Sequence, residues 1–464
     1  MKKQAFNPYL PSWEYIPDGE PYVFGNRIYI FGSHDMYNGH VFCLGDYMCW
    51  SAPVDDPGDW KCEGVMYKKT QDPLNRDGRM CLYAPDVTVG ADGRYYLYYV
   101  LDKVSVVSVA VADRPQGPYE FYGYVHDKNG QRIGERKGDE PQFDPAVFTE
   151  KNRTYLYTGF CAAEDKSRHG AMVMVLAEDM LTVEREPEFI VPSHMYGSDT
   201  DFSGHEFFEA SSIRKKGEKY YFVYSSVVMH ELCYAISDDP LGPFCYGGVV
   251  VSNCDIGISD GKPAEKPLAY GANNHGSIVE INGKWYVFYH RHTNNSWYCR
   301  QGCAEPVHFE GDHIVQAQMT SCGLNNGPLV GKGIYPAYIA CNIFTQEEQT
   351  YVGGCGHPYI MQDGRDGDTE PAYITGISDG AEVGFKYFEC KDISAVRITV
   401  RGYADGEFLV LKEWDGEPLG SIPVEFTNVW EDYTAEVKIT DGIQAVYFKY
   451  QGSGTADLLS FELI

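Results

Sequence analysis

One pattern recurs five times within the first 290 residues, and it constrains the fold more than any other feature of the chain. Each copy begins with a distinctive residue and runs through an apolar stretch and a turn to a tyrosine. In four copies the first residue stands eleven places before that tyrosine; the pairs are Asp18 and Tyr29, Asp144 and Tyr155, Glu209 and Tyr220, and His275 and Tyr286. In the second copy, Pro85 stands eleven places before Tyr96. Asp86, one place nearer to that tyrosine, fits instead if the longer turn of this copy accounts for the one-residue difference. Self-similarity at a period of roughly 60 residues indicates a repeat architecture.

Each copy reads as a strand, a turn and a strand, with Asn-Gly or Lys-Gly among the turns. Further strands are predicted between the copies, for example at 104–112 and 172–177, so each repeat holds about four strands, the size of a propeller blade. The predicted fold class is therefore all-β, with a five-bladed β-propeller over residues 1–320. Because the innermost strand of each blade lines the axis, the residues that open the repeats should converge at one end of the central channel.

After residue 320 the pattern changes. We expect a glycine-rich linker at 321–349, followed by a strand-rich region at 350–464. Segments such as 395–401 and 445–450 alternate apolar and polar residues, as strands with one buried face do. About 115 residues of such strands predict a β-sandwich as a second domain.

Composition limits the class of partner. The 464 residues carry a net charge of −28, which disfavours nucleic acid and anionic lipid as partners and suits a neutral one such as a sugar. No stretch approaches the roughly 20 apolar residues of a membrane span. The 14 cysteines include no CxxC pair, which argues against a zinc ribbon. No apolar segment follows the two lysines at the N-terminus, so we expect reduced thiols and a cytoplasmic location.

Four of the opening residues can handle protons or metal. Alone, Asp18 before glycine and Asp144 before proline fit turns, and His275 fits a satisfied core histidine. Glu209 lies between Phe208 and Ala210, where a carboxylate would be partly buried. Turn formation does not require acids in register across separate blades, so the shared position favours a functional site.

Carboxylates gathered on one cavity floor are what glycoside hydrolysis requires. One must donate a proton from a raised pKa, and another must stay ionised as base or nucleophile. A third carboxylate nearby raises the pKa of the donor by repulsion between like charges.

The same residues resemble glycoside hydrolase family 43, whose members are five-bladed propeller enzymes acting by inversion on arabinose- and xylose-containing glycans. The shared marks are an aspartate ahead of the first hairpin and three segments; these are Asp144-Pro-Ala-Val-Phe148, Glu209-Ala-Ser-Ser-Ile-Arg-Lys215 and Asn274-His-Gly-Ser-Ile-Val279. The resemblance covers about residues 7–320. Where relatives often have Trp-Ala-Pro, this chain has Tyr83-Ala-Pro85 in one pocket wall.

Carried over by position, the resemblance implies that Asp18 is the general base, Glu209 the general acid, and Asp144 the carboxylate that orients the acid and modulates its pKa. His275 is similar to an axial histidine that helps to hold a metal or water cluster, often with calcium, beneath the sugar. Arg300 resembles an arginine that contacts the sugar at the cleavage subsite, although an ordinary surface arginine fits its sequence context equally well. No cofactor is implied for the chemistry itself.

The C-terminal region resembles a carbohydrate-binding module of family 6, a β-sandwich that binds calcium. Modules of that family that bind sugar usually carry an asparagine in the final loop, and the corresponding segment here, 452–458, has none. A packing domain that braces the rim of the active site is at least as compatible with the sequence.

Together these features predict an exo-acting, inverting glycosidase that removes terminal α-L-arabinofuranosyl or β-D-xylosyl units from oligosaccharides of xylan, arabinoxylan or arabinan. Two alternatives stay open. One is a catalytically inactive propeller that binds carbohydrate; the complete set of acids weighs against it. The other is a retaining hydrolase of the fructan type, which would need an Arg-Asp-Pro motif that the sequence lacks.

Overall fold

The computed structural model describes residues 3–345 and 351–464, and strands dominate its regular structure. Twenty strands form five antiparallel sheets of four strands each, and within each sheet the strands lie side by side in chain order. The first three sheets contain β1 (Glu20–Phe24), β2 (Arg27–Phe31), β3 (Tyr47–Pro53) and β4 (Lys61–Tyr67); β5 (Asp86–Val89), β6 (Tyr95–Tyr99), β7 (Ser108–Ala112) and β8 (Glu120–Tyr124); and β9 (Ala146–Glu150), β10 (Arg153–Thr158), β11 (Gly170–Leu176) and β12 (Val183–Pro192).

The fourth and fifth sheets follow the same plan. They contain β13 (Phe207–Lys216), β14 (Lys219–Ser226), β15 (Glu231–Ser237) and β16 (Cys245–Ser252); and β17 (Ser277–Ile281), β18 (Lys284–His292), β19 (Arg300–Glu310) and β20 (His313–Val315). Short helices interrupt the connections: α1 (His194–Gly197) and the 3₁₀ turns Lys69–Gln71, Pro73–Asn75, Gly323–Asn325 and Ala337–Ile339. Among the described residues, none of these helices has the length and apolar character needed to cross a membrane.

The tyrosine-rich second strands explain how the sheets pack. Successive side chains of a strand point to opposite faces. In β6, Leu97 and Tyr99 enter a cluster shared with the first sheet, whereas Tyr96 and Tyr98 enter one shared with the third. Because both faces are buried, the strand is apolar or aromatic at every position rather than alternating with polar residues.

The shared cores extend around all five sheets. Similar clusters join the third sheet to the fourth and the fourth to the fifth. A further cluster brings Ile28 and Ile30 of the first sheet against Val279 and Ile281 of the fifth. The first strands also contact one another, β5 with β9, β9 with β13, β13 with β17, and β17 with β1. The ends of these first strands are therefore brought close together.

The C-terminal region forms two further sheets around one buried cluster. Their strands are β21 (Leu329–Val330), β22 (Gly333–Pro336), β23 (Asn342–Phe344), β24 (Tyr359–Gln362), β25 (Ala372–Ile377), β26 (Glu382–Cys390), β27 (Ile393–Gly402), β28 (Asp405–Leu411), β29 (Gly420–Val424), β30 (Thr427–Ile439), β31 (Gly442–Ser453) and β32 (Ala456–Leu463). One sheet has the order β21-β26-β31-β28-β29 with β23 also on β26, and the other has the order β24-β25-β32-β27-β30 with β22 also on β32.

The segment predicted as a linker differs from that expectation. β21, β22 and β23 lie within 321–349 and pair with β26 and β32 of the C-terminal sheets. These strands have two to four residues, so their pattern is too short to stand out from a glycine-rich background. Residues 346–349 of the expected linker lie outside the described residues.

Buried polar contacts join the C-terminal sheets to the five-sheet region. Lys386 Nζ lies 3.2 Å from Asp255 Oδ2, and each side chain is only 1% exposed. Asn342 Nδ2 also donates to Asp255, at 3.2 Å. Tyr15 donates a 2.6 Å hydrogen bond to Gln362 Oε1. The two regions thus meet in part through buried polar contacts.

Candidate active site

Four of the five residues that open the repeats line one pocket of about 310 Å³. Asp18, Asp144 and His275 each lie two positions before the first strand of their sheet. Asp18 and Asp144 adopt left-handed backbone conformations, with φ of 57° and 41°, which aspartate tolerates better than most residues. The structure places all five side chains predicted for the site on this pocket: Asp18, Asp144, Glu209, His275 and Arg300.

Glu209 reaches the pocket by a different route, since it lies inside β13. The pairing of β13 with β14 is irregular on both sides of Glu209, and Ala210 has a φ of 67°. Such β-bulges redirect a side chain and are frequent beside active sites. β13 begins two residues before Glu209, whereas the first strands of the first, third and fifth sheets begin two residues after their opening residue. The bulge makes up for this difference and directs Glu209 into the pocket.

The second sheet supplies Ala84 to the pocket, two positions before β5, rather than Pro85 or Asp86. Asp86 is fully buried elsewhere, where its carboxylate accepts hydrogen bonds from Tyr22 Oη at 2.6 Å and from Val147 N at 2.7 Å. The sequence therefore predicted the wrong opening residue for the second repeat. Its longer turn moves the pocket position to Ala84, beyond both Pro85 and Asp86. Four of the five opening positions carry a proton-transferring group, and the second carries a methyl group.

Arg300 lies at the pocket floor and is 2% exposed, so it is not a surface residue. Its guanidinium forms a two-point contact with Asp35, Nε to Oδ2 at 2.8 Å and Nη2 to Oδ1 at 3.0 Å. The remaining nitrogen, Nη1, donates to Asp18 Oδ1 at 2.8 Å. Phe42 covers the guanidinium, with its ring centroid 4.7 Å from Cζ. The two-point contact with Asp35 thereby fixes the orientation of the Arg300 guanidinium, which places its positive charge beside Asp18.

Asp18 is held in its ionised form. Burial opposes ionisation, but Arg300 and the neighbouring His290 and His275 outweigh it and hold the pKa of Asp18 well below its usual range. His290 Nδ1 and His275 Nδ1 lie 3.4 Å and 3.8 Å from Asp18 Oδ1. A permanently ionised carboxylate at this place can accept a proton or stabilise positive charge.

The pKa values of Glu209 and Asp144 are shifted upwards, opposite to that of Asp18. Burial, together with the negative charge of Asp18, raises the pKa of Glu209 to about 7. Burial followed by the charges of Glu209 and Asp18 raises the pKa of Asp144 well above its usual range. Asp144 Oδ2 also accepts a hydrogen bond from Ala210 N at 3.1 Å. The two carboxyl groups are electrostatically coupled, so near neutral pH the pair retains a proton that it can donate.

His275 completes the polar floor. Burial lowers its pKa to about 4, so the imidazole is uncharged at neutral pH. Its Nδ1 lies 3.6 Å from Asp144 Oδ2. An uncharged imidazole keeps a lone pair that can bind a cation or accept a hydrogen bond from water.

The walls of the pocket are aromatic. Tyr83, which stands where relatives often have a tryptophan, contacts Phe143 edge to face, with 5.5 Å between ring centroids. Phe143 contacts Phe160 at 5.3 Å, and Phe160 contacts Phe208 at 5.4 Å. The remaining lining includes Phe42, Met229 and Trp297. Such walls exclude water and offer flat apolar faces, while the polar groups are confined to the floor.

Three residues of the site were not identified from the sequence. Asp35 follows β2 outside the repeat register, and its role appears only once Arg300 from β19 lies beside it. Asn273 lies on the pocket beside Glu209. Its backbone carbonyl oxygen accepts hydrogen bonds from His290 Nε2 at 2.8 Å and from His292 Nε2 at 3.0 Å. His290 sits within β18, where a histidine in an apolar strand gives no signal of its own.

The chain is similar to known proteins in sequence and in fold. The sequence profile of glycosyl hydrolases family 43 matches residues 22–315. A protein of Thermoclostridium stercorarium named xylosidase/arabinosidase is 64% identical over 470 residues, which cover 100% of this chain and 99% of that protein. A xylosidase/arabinosidase of Bacteroides ovatus is 32% identical over 314 residues, covering 61% of this chain and 87% of its own.

Solved structures agree with the sequence comparison. A family 43 β-xylosidase/α-arabinofuranosidase from a compost microbial metagenome, crystallised with xylotriose, superposes with a TM-score of 0.53 at 27% identity, over 68% of this chain and 98% of that one. A family 43 arabinoxylan arabinofuranohydrolase of Bacillus subtilis has a TM-score of 0.53 over 98% of this chain and 97% of its own, and at 21% identity it shows likeness of fold alone. By profile, by full-length identity and by structure, the chain belongs to glycosyl hydrolase family 43.

Proposed function

We propose that the protein is an inverting exo-glycosidase that removes terminal α-L-arabinofuranosyl or β-D-xylosyl units from oligosaccharides of xylan, arabinoxylan or arabinan. One observation carries the proposal: two carboxyl groups on the same pocket have pKa values shifted in opposite directions, Asp18 downwards and Glu209 upwards to about 7. Such a pair is the pattern of an acid and a base that act together.

In the proposed reaction, water attacks the anomeric carbon while Asp18 accepts a proton from that water. Glu209 donates its proton to the glycosidic oxygen, and the bond between that oxygen and the anomeric carbon breaks. Negative charge on Asp144 would favour the protonated form of Glu209 in the free enzyme and so keep its proton available near neutral pH. Exchange with solvent returns both carboxyl groups to their starting states, and inversion follows from attack on the face opposite the leaving group.

The size and lining of the pocket support an exo mode of action. A volume of about 310 Å³ lies at the small end of the range for ligand pockets, which suits a single terminal sugar unit. Arabinofuranose and xylose present similar ring and hydroxyl positions to a pocket of this kind. Both relatives are named xylosidase/arabinosidase, which supports both sugars without ranking them.

We also propose that the five sheets are the blades of a five-bladed β-propeller and that the C-terminal sheets form a β-sandwich. The shared clusters that run from each sheet to the next, including the fifth to the first, support the propeller. The domains would then be 1–320 and a C-terminal domain that includes β21, β22 and β23. The buried pair of Lys386 and Asp255 favours a bracing role for the sandwich over that of an independent carbohydrate-binding module.

A calcium ion at the pocket floor would be held by the uncharged imidazole of His275 and by water molecules. It would supply positive charge beneath the bound sugar, while the proton transfers remain with Asp18 and Glu209. The calcium expected in the C-terminal domain stays a prediction. Within the described part of that domain, no three His, Cys, Asp or Glu side chains lie close enough to share one ion.

Paired substrates test the function. We expect the protein to release nitrophenol from nitrophenyl α-L-arabinofuranoside, β-D-xyloside or both, and the Glu209→Gln variant to release far less. Binding of xylo-oligosaccharide without hydrolysis of either substrate would contradict the proposal and favour the carbohydrate-binding alternative. Cleavage of a fructan with neither pentoside hydrolysed would favour the fructan-type alternative.

A further inference from the structure

A cluster of metal-binding side chains lies on the fourth sheet, separate from the residues of the pocket. His205 Nδ1 is 2.6 Å from Glu231 Oε1, Cys233 Sγ is 3.3 Å from the same oxygen, and the nitrogen and sulfur are 3.9 Å apart. Among residues 3–345 and 351–464, no other three His, Cys, Asp or Glu side chains approach so closely.

The fold brings these three groups together from two places in the chain. Glu231 and Cys233 are two residues apart on β15, so their side chains share one face of the strand. His205 lies in the connection that leads into β13. Its N–H donates to Phe202 O at 2.8 Å, and its carbonyl accepts from Tyr224 Oη at 2.8 Å. Its ring also stacks on Tyr246, with 4.9 Å between centroids and 13° between planes. The imidazole is therefore held in place independently of any ligand.

The spacing is close to that of a tetrahedral metal centre. Zinc binds imidazole nitrogen, carboxylate oxygen and thiolate sulfur at bond lengths that place neighbouring donors about 3.3–3.6 Å apart. The three separations observed here, 2.6, 3.3 and 3.9 Å, differ from those values by less than about 1 Å. We propose that His205, Glu231 and Cys233 bind a divalent transition-metal ion of the zinc type, with water as its fourth ligand.

Exposure fits such a site. Cys233 is fully buried, and the side chain of Glu231 is 6% exposed. The side chain of His205 is 35% exposed, so it leaves a path for an ion and room for water. Nitrogen, carboxylate and sulfur ligands together suit zinc or cobalt better than calcium, which prefers oxygen.

Binding has a defined proton balance. The ion must displace the thiol proton, and any proton on His205, to form its bonds. Its affinity should therefore rise with pH.

The site would act on the wall of the substrate pocket. Ser226 Oγ donates to Glu231 Oε1 at 2.5 Å and so closes the base of the turn between β14 and β15. That turn carries Met229, which lines the pocket. An ion bound to Glu231 would stiffen the base of the turn and limit the movement of Met229.

Cobalt titration tests the proposal directly, because bonding of thiolate to cobalt produces a charge-transfer absorption in the near ultraviolet. Full-length protein treated with a chelator should bind one equivalent of Co²⁺ with this absorption, and Zn²⁺ should abolish it. Cys233→Ser should abolish the absorption, while His205→Gln, at a partly exposed position, should weaken binding at least about tenfold. Cys245→Ser, which alters an exposed cysteine of the same sheet, should leave both unchanged.

The alternative is that the three side chains only hydrogen-bond to one another and fix the turn. No cobalt–thiolate absorption in the wild-type protein, or an absorption equally strong in His205→Gln, would overturn the proposal. If Cys233→Ser does not fold, the His205→Gln titration still decides. Hydrolysis of nitrophenyl pentosides is measured separately, so failure of the metal site leaves the proposed function untouched.

Discussion

Arg300 Nη1 lies 2.8 Å from Asp18 Oδ1, and this contact across the pocket floor joins β19 to the residue that opens the first repeat. Because the positive charge keeps Asp18 ionised, Arg300→Met should raise the pKa of Asp18 towards its ordinary value. The acidic limb of the kcat/KM profile should then move to higher pH. Asp35→Asn retains the guanidinium and should move that limb less. If the acidic limb stays in place in folded Arg300→Met, Arg300 contacts the sugar but does not control the pKa of Asp18.

Removal of either proton-transfer group should stop turnover. Asp18→Asn and Glu209→Gln should each reduce kcat by about a hundredfold or more, because neither group can replace the other. Asp86→Asn makes the same chemical change at a buried acid of the repeats that does not line the pocket, and it should keep most of the activity. Circular dichroism checks that the variants fold. If folded Asp18→Asn or Glu209→Gln retains more than about a tenth of the activity, the assignment of roles is wrong.

The dependence of rate on pH should report the coupled pair. As pH rises through about 7, Glu209 loses the proton it must donate, so kcat/KM should fall. Asp144→Asn removes a carboxylate that is electrostatically coupled to Glu209, and the last proton of the site should then be lost at lower pH. We expect the basic limb to move to lower pH and the rate to fall, with the acidic limb moved less. A basic limb unmoved in the variant would mean that Asp144 is a turn residue or a sugar ligand.

Stereochemistry tests the role of Asp18 independently. If Asp18 activates water, its carboxyl group and that of Glu209 should lie about 6.5–9.5 Å apart in the complex with substrate, leaving room for that water. The sugar first released should have the inverted anomeric configuration in a rapid proton NMR time course. Retention of configuration would mean that the carboxylate attacks carbon directly, as in a fructan-type enzyme.

The ion pair between the two regions should contribute measurably to stability. Lys386→Met leaves Asp255 buried without its cation, which should lower the free energy of unfolding by about 3–5 kcal/mol. Lys219→Met removes a partly exposed partner of Asp238 and should cost less than about 1 kcal/mol. Denaturant titration of both variants measures the difference. Equal losses in the two variants would show that burial of the pair has no special effect.

The sequence predicted the parts of the fold that depend on periodicity. The register of Asp18, Asp144 and His275 could be found because each precedes a hairpin of nearly constant length. The same reasoning failed at the second repeat, where the five-residue turn from Gly90 to Arg94 is longer and Ala84 rather than Asp86 reaches the pocket.

Features that depend on distant partners could not be predicted. Asp35 has no place in the repeat and gains its role only from a guanidinium 265 positions away. The bulge that directs Glu209 into the pocket also leaves no mark in the apolar pattern of β13. For β21, β22 and β23, pairing with distant strands rather than local propensity decides the structure.

The contact of Lys386 with Asp255 bears on how such a chain could have been inherited. Domains that move between genes as independent units need faces that tolerate water when the partner is lost. Asp255 belongs to the five-sheet region, and without the C-terminal sheets its carboxylate would lose a buried cation and the amide of Asn342. The two regions should therefore have diverged as one unit, with substitutions on either side of this interface constrained by the other.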